Sequence, residues 1–196
     1  AKEIRGKKGM IGLGTVTDPY QEAERHLLIT RRCLMEIVPH GLSVSVLTKS
    51  DLILRDLDLY KELKGEVGIT VTSVNDELSR TMEPGAPLPG RRIDALRRMA
   101  DEGLNAYALI GPLLPLLTER DVDDLVEALS STGIRWVMLD RFRPRPGMFD
   151  DIARRPNGAE VSDRLEKAHR AEDYRGLESL MRGKFSEKGI RCVNAF

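Results

Sequence analysis

The hydrophobic period of this chain switches repeatedly between strand-like runs and helix-like stripes, and that alternation constrains the fold more than any other feature. Residues 9–16 form a short apolar run with glycines, the pattern of a buried strand. Asp18-Pro19 breaks it. Ala23, Leu27, Thr30, Leu34 and Ile37 then fall on one face of a predicted helix that ends at Pro39 to Gly41. Residues 43–48 read as the next strand, Ser50 or Asp51 as an N-cap, and Ile53, Leu57, Tyr60 and Leu63 as the stripe of the helix that follows. The unit then repeats. Strand 67–72 precedes helices near 76–82 and over 91–102, and Gly103 caps the second of these. Strand 105–110 precedes a helix over 119–131 with Val122, Leu125, Val126 and Leu129 on one face, and strand 134–139 follows Gly133. Beyond Pro144 a Pro/Gly-rich connector leads to two polar amphipathic helices, predicted over 161–171 and 174–185.

Strands and helices that alternate through short connections build a parallel sheet with right-handed crossovers. About five strands are too few to close an eight-fold barrel. The expectation is an α/β fold: a partial, open β/α barrel over residues 1–145, with a C-terminal helical extension over 146–196 packed outside the sheet or across an open edge. A doubly wound open sheet obeys the same alternation, and periodicity does not separate the two.

Composition narrows the function. The 196 residues suffice for one ordinary core, and 31 basic against 31 acidic side chains leave no global field toward nucleic acid or acidic lipid. Any polyanion site is therefore a local patch. The two cysteines, Cys33 and Cys192, lie far apart and make neither a disulfide framework nor a metal motif. His26, His40 and His169 have no mutual spacing for a metal either. The most apolar stretch, residues 107–117, is too short to span a bilayer and carries Pro112 and Pro115. A reduced, cytoplasmic setting without a membrane partner is the expectation.

Ligands of parallel α/β folds bind beyond the carboxyl ends of the strands. Those loops read Gly14-Thr15-Val16-Thr17-Asp18-Pro19-Tyr20-Gln21, Thr48-Lys49-Ser50-Asp51, Thr72-Ser73-Val74-Asn75-Asp76, Gly111-Pro112 and Asp140-Arg141. Polar side chains gather at the same end of every strand. Thr17 and Asp18 equally well cap the first helix, and Thr72 and Ser73 equally well form a turn. Lys49 differs, because a cation just before a helix N-terminus is opposed by the helix dipole and calls for an anionic partner, although a solvated lysine needs none. Glu83 reads as a turn carboxylate or a partner for nearby arginines, and Asp140-Arg141 as a surface ion pair. The pairs Arg91/Arg92, Arg97/Arg98 and Arg154/Arg155 are either phosphate contacts or solvated helix faces.

Taken as a string, these loops resemble the spore photoproduct lyase-like group of radical S-adenosylmethionine enzymes. The resemblance rests on residues 14–21 with Glu24 and Arg32, on Leu47-Thr48-Lys49-Ser50 with Arg55-Asp56, and on residues 69–73. Met82-Glu83-Pro84-Gly85-Ala86-Pro87 with Arg92 and Gly111-Pro112-Leu113-Leu114-Pro115 extend it, so that it runs from about Met10 to Arg143. It implies a partial barrel that binds S-adenosylmethionine beside a four-iron, four-sulfur cluster. The reduced cluster splits the ligand, and the deoxyadenosyl radical abstracts hydrogen from a substrate. By carry-over, the loop with Thr15, Thr17 and Asp18 meets the methionine amino group, and Lys49 lies near the carboxylate. Thr72 and Ser73 contact the same ligand, and Pro112 lies near the adenosine. The resemblance also implies an electron donor as partner, and either DNA or a small molecule as substrate.

One departure is large. The family ligates its cluster with three cysteines in a C-x-x-x-C-x-x-C loop, and no such loop occurs in these 196 residues. The expectation is an enzyme whose cluster-binding segment lies upstream of Ala1 and whose present chain alone is inactive. A natural cluster-free relative, serving as a β/α scaffold or a nucleic-acid-binding module, is the alternative. No residue of the chain receives a catalytic role.

Overall fold

The computed structural model describes residues 8–14, 16–171 and 174–195. The first half runs β1 (Met10–Leu13), α1 (Glu24–Leu27), α2 (Ile29–Ile37), β2 (Ser43–Thr48), a 3₁₀ turn over Asp51–Asp56, α3 (Leu57–Glu62), β3 (Lys64–Thr70), α4 (Asp76–Met82) and α5 (Pro89–Asp101). It continues with β4 (Ala106–Leu113), α6 (Glu119–Ser130), β5 (Trp136–Arg141), α7 (Met148–Ala153), α8 (Gly158–Ala171), α9 (Tyr174–Glu187) and β6 (Arg191–Asn194). Among the described residues the strands form one sheet in the order β1-β2-β3-β4-β5-β6, and each neighbouring pair is parallel. Sequential order with every crossover on one side is the open β/α barrel arrangement, and it disposes of the doubly wound alternative, in which strand order reverses.

The sheet holds six strands rather than about five. The additional one, β6, pairs with β5 through Trp136↔Arg191 to Leu139↔Asn194. It has four residues, and Arg191 and Asn194 at its ends are exposed, so alternation gave it no signal.

Alternation and register together assign the two faces. Val46, Ile69, Ala108, Ile110 and Val137 are wholly buried on the face that meets the helices, against Leu34, Ile53, Leu96, Met99, Val122 and Leu125. The α6 stripe Val122, Leu125, Val126 and Leu129 is buried as predicted, and Thr118 with Asp121 closes a capping box at its start. The opposite face carries half-buried Ser45, Leu47, Glu66, Leu109 and Met138, so it remains partly open. Near its lower end Tyr107 stacks on Trp136 with ring centroids 4.1 Å apart. Gly68, opposite Tyr107 in the register, makes this possible, because a Cβ there would lie 2.3 Å from Tyr107 Cζ. Gly68→Ala is expected to lower stability by about 1–2 kcal/mol, read as an earlier denaturation midpoint.

The first predicted helix is broken. Leu28 adopts a left-handed backbone, φ 51°, between α1 and α2, so the stripe does not run through. Thr30, Leu34 and Ile37 are buried, whereas Ala23 and Leu27 are exposed and Glu24 is buried in their place. The Glu24 carboxylate accepts from the Thr30 and Arg31 backbone N–H groups at 3.0 and 3.3 Å and so caps α2 from outside it. Arg55 meets the same carboxylate at 2.8 Å. A charged tertiary contact outweighs helix continuity here.

Candidate functional site

Because every strand is parallel, the loops after Leu13, Thr48, Thr70, Leu113 and Arg141 open at one end of the sheet. Gly14 turns the first of these back across β2. Its φ is +92°, and a Cβ would lie 2.3 Å from the Leu47 carbonyl oxygen. The loop then delivers Asp18 to the end of β2. Asp18 Oδ1 accepts from Thr48 Oγ1 at 2.5 Å and from the Tyr20 N–H at 2.8 Å, and Oδ2 accepts from the Lys49 N–H at 2.8 Å. Ser50 caps the following turn by accepting from the Leu52 N–H at 3.3 Å. The main chain of Lys49 is thus pinned by one carboxylate.

A second carboxylate holds the Lys49 side chain. Lys49 Nζ lies 3.2 Å from Glu83 Oε1, just beyond α4. Glu83 Oε2 lies 2.6 Å from Nη1 of Arg92, a buried residue of α5. Arg92 also donates to the Thr70 and Pro87 carbonyls at 3.1 and 2.6 Å. The anionic partner that Lys49's position calls for is therefore present within the chain.

Lys49 and Glu83 form the polar end of a cavity of about 360 Å³, within the size range of small-molecule sites. Thr72, just beyond β3, and Pro112 of β4 line it, with Leu109, Leu114, Phe142 and Met148 supplying apolar wall. The peptide bond between Gly111 and Pro112 is cis. Asp140, Arg141 and Arg143 complete the rim, with Arg143 paired to Asp140 at 2.8 Å and Arg141 to Glu178 at 3.6 Å. On the other side of Lys49 a second cavity, about 450 Å³, is lined by Asp18, Tyr20, Gln21, Arg25, the residues 84–87 and Arg91.

The site residues expected from sequence separate into groups. Lys49, Thr72 and Pro112 share one cavity, and Asp18 adjoins it through the Lys49 backbone. Ser73 is buried beside Thr72, and its Oγ accepts from the Asn75 N–H at 3.0 Å. Thr17 is exposed and lines neither cavity. Thr15 lies outside the described residues. Phe142, Arg143 and Met148 are not among the residues to which the sequence points, because they lie at the edge of the Pro/Gly-rich connector or within it. The arginines at alternate positions 141, 143 and 145 directly after a strand were the available signal.

Among the described residues, the side chains of five of the six paired arginines have hydrogen-bond or ion-pair partners within the chain. Arg92 is buried, Arg91 pairs with Asp51 at 2.7 Å, and Arg97 with Asp94 at 2.6 Å. Arg154 pairs with Asp151, and Arg155 donates to the Thr81 and Met82 carbonyls at 2.8 and 3.0 Å. No helix among the described residues is long and apolar enough to cross a membrane.

The two implied cofactors fare differently. A cation set beside an apolar-walled cavity of nucleoside size fits S-adenosylmethionine. The cluster does not fit. Cys33 is exposed on α2, Cys192 is half-buried on β6, and the described residues contain no group of three or more His, Cys, Asp or Glu able to hold a metal.

Known proteins share both sequence and fold with this chain. The uncharacterized protein MJ0683 of Methanocaldococcus jannaschii is 39% identical over 113 residues, 57% of this chain and 43% of its own length. The uncharacterized protein Mb2609c of Mycobacterium bovis is 32% identical over 139 residues, 68% of this chain and 41% of its own. The chain thus spans about two fifths of these relatives. Among solved structures, spore photoproduct lyase complexed with dinucleoside spore photoproduct superimposes with a TM-score of 0.69 at 15% identity, over 98% of this chain and 63% of that one. Streptococcus suis SuiB bound to S-adenosylmethionine gives 0.63 at 10% identity, over 95% and 39%. At these identities the likeness is one of fold. The model of the Radical SAM superfamily matches residues 1–129, well over half of the 196, and the chain belongs to that superfamily.

Proposed function

We propose that this chain is the S-adenosylmethionine-cradling part of a radical enzyme akin to spore photoproduct lyase. The observation that carries the reading is the cavity of about 360 Å³ at the strand ends, with the Lys49 ammonium at one end and Leu109, Pro112, Leu114, Phe142 and Met148 along its wall. The methionine carboxylate is assigned to Lys49, a charge-assisted contact. Thr72, in the cavity lining, and its buried neighbour Ser73 are assigned to the same ligand, and the adenosyl group to Pro112 and its apolar neighbours. The amino group is assigned to the loop bearing Thr15, Thr17 and Asp18. Three of roughly four acceptor sites of the Asp18 carboxylate are taken, which leaves one for an ammonium.

A four-iron, four-sulfur cluster held beside the S-adenosylmethionine site would supply the electron for its reductive cleavage. The described residues offer no ligands for that cluster, so its cysteines and its electron donor are assigned outside these 196 residues. We assign residues 1–145 to the catalytic-domain portion and read 146–196 as an extension that returns β6 to the sheet and Met148 to the cavity wall, the whole acting in the cytoplasm. A nucleoside-containing substrate follows by analogy with the lyase complex, and DNA repair is its most specific form.

Calorimetric titration of the purified chain with S-adenosylmethionine tests the reading. Binding is expected, and Lys49→Ala is expected to weaken it about tenfold or more. An unaltered affinity in that variant, or no binding by the parent chain, removes the proposal.

A further inference from the structure

We infer that Arg92, which lines neither cavity, is a positioning residue for Lys49: by matching the charge of Glu83 it frees the Lys49 ammonium to act on a ligand carboxylate. This rests on the reading of the cavity as an S-adenosylmethionine site.

From the interior outward the three side chains alternate cation, anion, cation. Glu83 divides its oxygens between them, 2.6 Å to Arg92 and 3.2 Å to Lys49. The shorter contact goes to a guanidinium whose side chain is 2% exposed, the longer to an amine that is 40% exposed. A guanidinium so deeply buried requires a carboxylate, and Glu83 is its one acidic partner among the described residues. The carbonyls of Thr70 and Pro87 fix Arg92 further, so it does not swing toward a ligand. Glu83 is therefore neutralised from behind, and the three groups together carry one positive charge, which faces the cavity at Lys49. Without Arg92, Glu83 would cancel Lys49, and the cavity would present a neutral pair to an incoming carboxylate.

The test is titration of the purified chain with two probes, S-adenosylmethionine and methylthioadenosine, which retains the adenosyl thioether but has no carboxylate. Arg92→Met is expected to weaken S-adenosylmethionine binding about tenfold or more and to leave methylthioadenosine within about twofold. Arg92→Met/Glu83→Gln, which removes the uncancelled carboxylate as well, is expected to return to within about threefold of the parent. Glu83→Gln alone keeps both cations and, where it folds with Arg92 left unpaired, is expected to retain or raise the preference for S-adenosylmethionine. Arg92→Gln, which removes the buried charge but keeps a donor toward Glu83, is expected to lose S-adenosylmethionine like Arg92→Met and decides the matter if Arg92→Met does not fold. The inference is overturned if Arg92→Met binds S-adenosylmethionine like the parent, if it weakens both probes alike, or if Glu83→Gln loses the preference. A parent chain that binds neither probe sinks the site reading itself, and this inference with it.

Discussion

Asp56→Ala is expected to lose about 3–5 kcal/mol of unfolding free energy, whereas Asp58→Ala, two residues on, stays within about 0.5 kcal/mol. The two carboxylates share Arg31, at 2.9 Å from Asp56 and 2.7 Å from Asp58, but differ in burial and in the further partners that burial brings to Asp56. The Asp58 side chain is 56% exposed, and water replaces whatever it loses. Asp56 has no exposed surface. It accepts from Arg55 Nε and Nη2 at 2.8 and 2.7 Å and from the Tyr20 hydroxyl at 3.0 Å, and that hydroxyl lies 2.9 Å from the Tyr60 hydroxyl. Removing the carboxylate leaves Arg31 with Asp58, Arg55 with Glu24 and the Tyr20 hydroxyl with Tyr60 around a cavity, each short of its buried partner. Burial pushes the Asp56 carboxyl up, but hydrogen bonds from Arg55, Arg31 and Tyr20 outweigh it and hold the group below the usual carboxylate range. Glu24, whose burial is likewise outweighed by Arg55 and two backbone N–H groups, is lowered too. A depressed carboxyl contributes stability that is complete above its unfolded value, about pH 4, and is lost as pH falls through the lower folded value. Chemical denaturation at several pH values checks both points: the parent should weaken below about pH 4, and Asp56→Ala should show a flatter acid limb.

This same network explains where sequence patterning succeeds and where it fails. The stripe of α6 is legible because Val122, Leu125, Val126 and Leu129 answer to one buried face with helical spacing. The place of Lys49 at the strand ends is legible because a strand end and a helix start fix its surroundings locally. The α1–α2 break is not legible, since it depends on Glu24 meeting Arg55, 31 residues away. Glu83 looks like a turn carboxylate until α4 and α5 fold together and bring Arg92 beneath it. Phe142 and Met148 lie in a stretch rich in proline and glycine, where no period exists to read, and only the packing of β5 against the later segments turns them toward the cavity. What the sequence hides is mainly pairing between elements distant along the chain.

Asp18→Ala is expected to cost on the order of 2–3 kcal/mol, because three hydrogen bonds to one ionised group disappear together. Two of the donors, the Thr48 hydroxyl and the Lys49 N–H, sit at the end of β2, so the damage is concentrated where the cavity begins. Asp18→Asn should fall between the two, since its amide oxygen keeps one side of the network while its NH₂ faces a donor on the other. Hydrogen exchange locates the effect: the Lys49 and Tyr20 amides should lose protection in Asp18→Ala, and unchanged protection at Lys49 would contradict the pinning role. Ligand binding then separates two ways in which Asp18 acts on the site. If its only work is to hold the Lys49 backbone, S-adenosylmethionine binding should weaken in Asp18→Ala about as much as in Lys49→Ala. If the remaining acceptor position also takes the ligand ammonium, the loss should exceed that of Lys49→Ala, while methylthioadenosine, which lacks both the ammonium and the carboxylate, should bind the two variants alike.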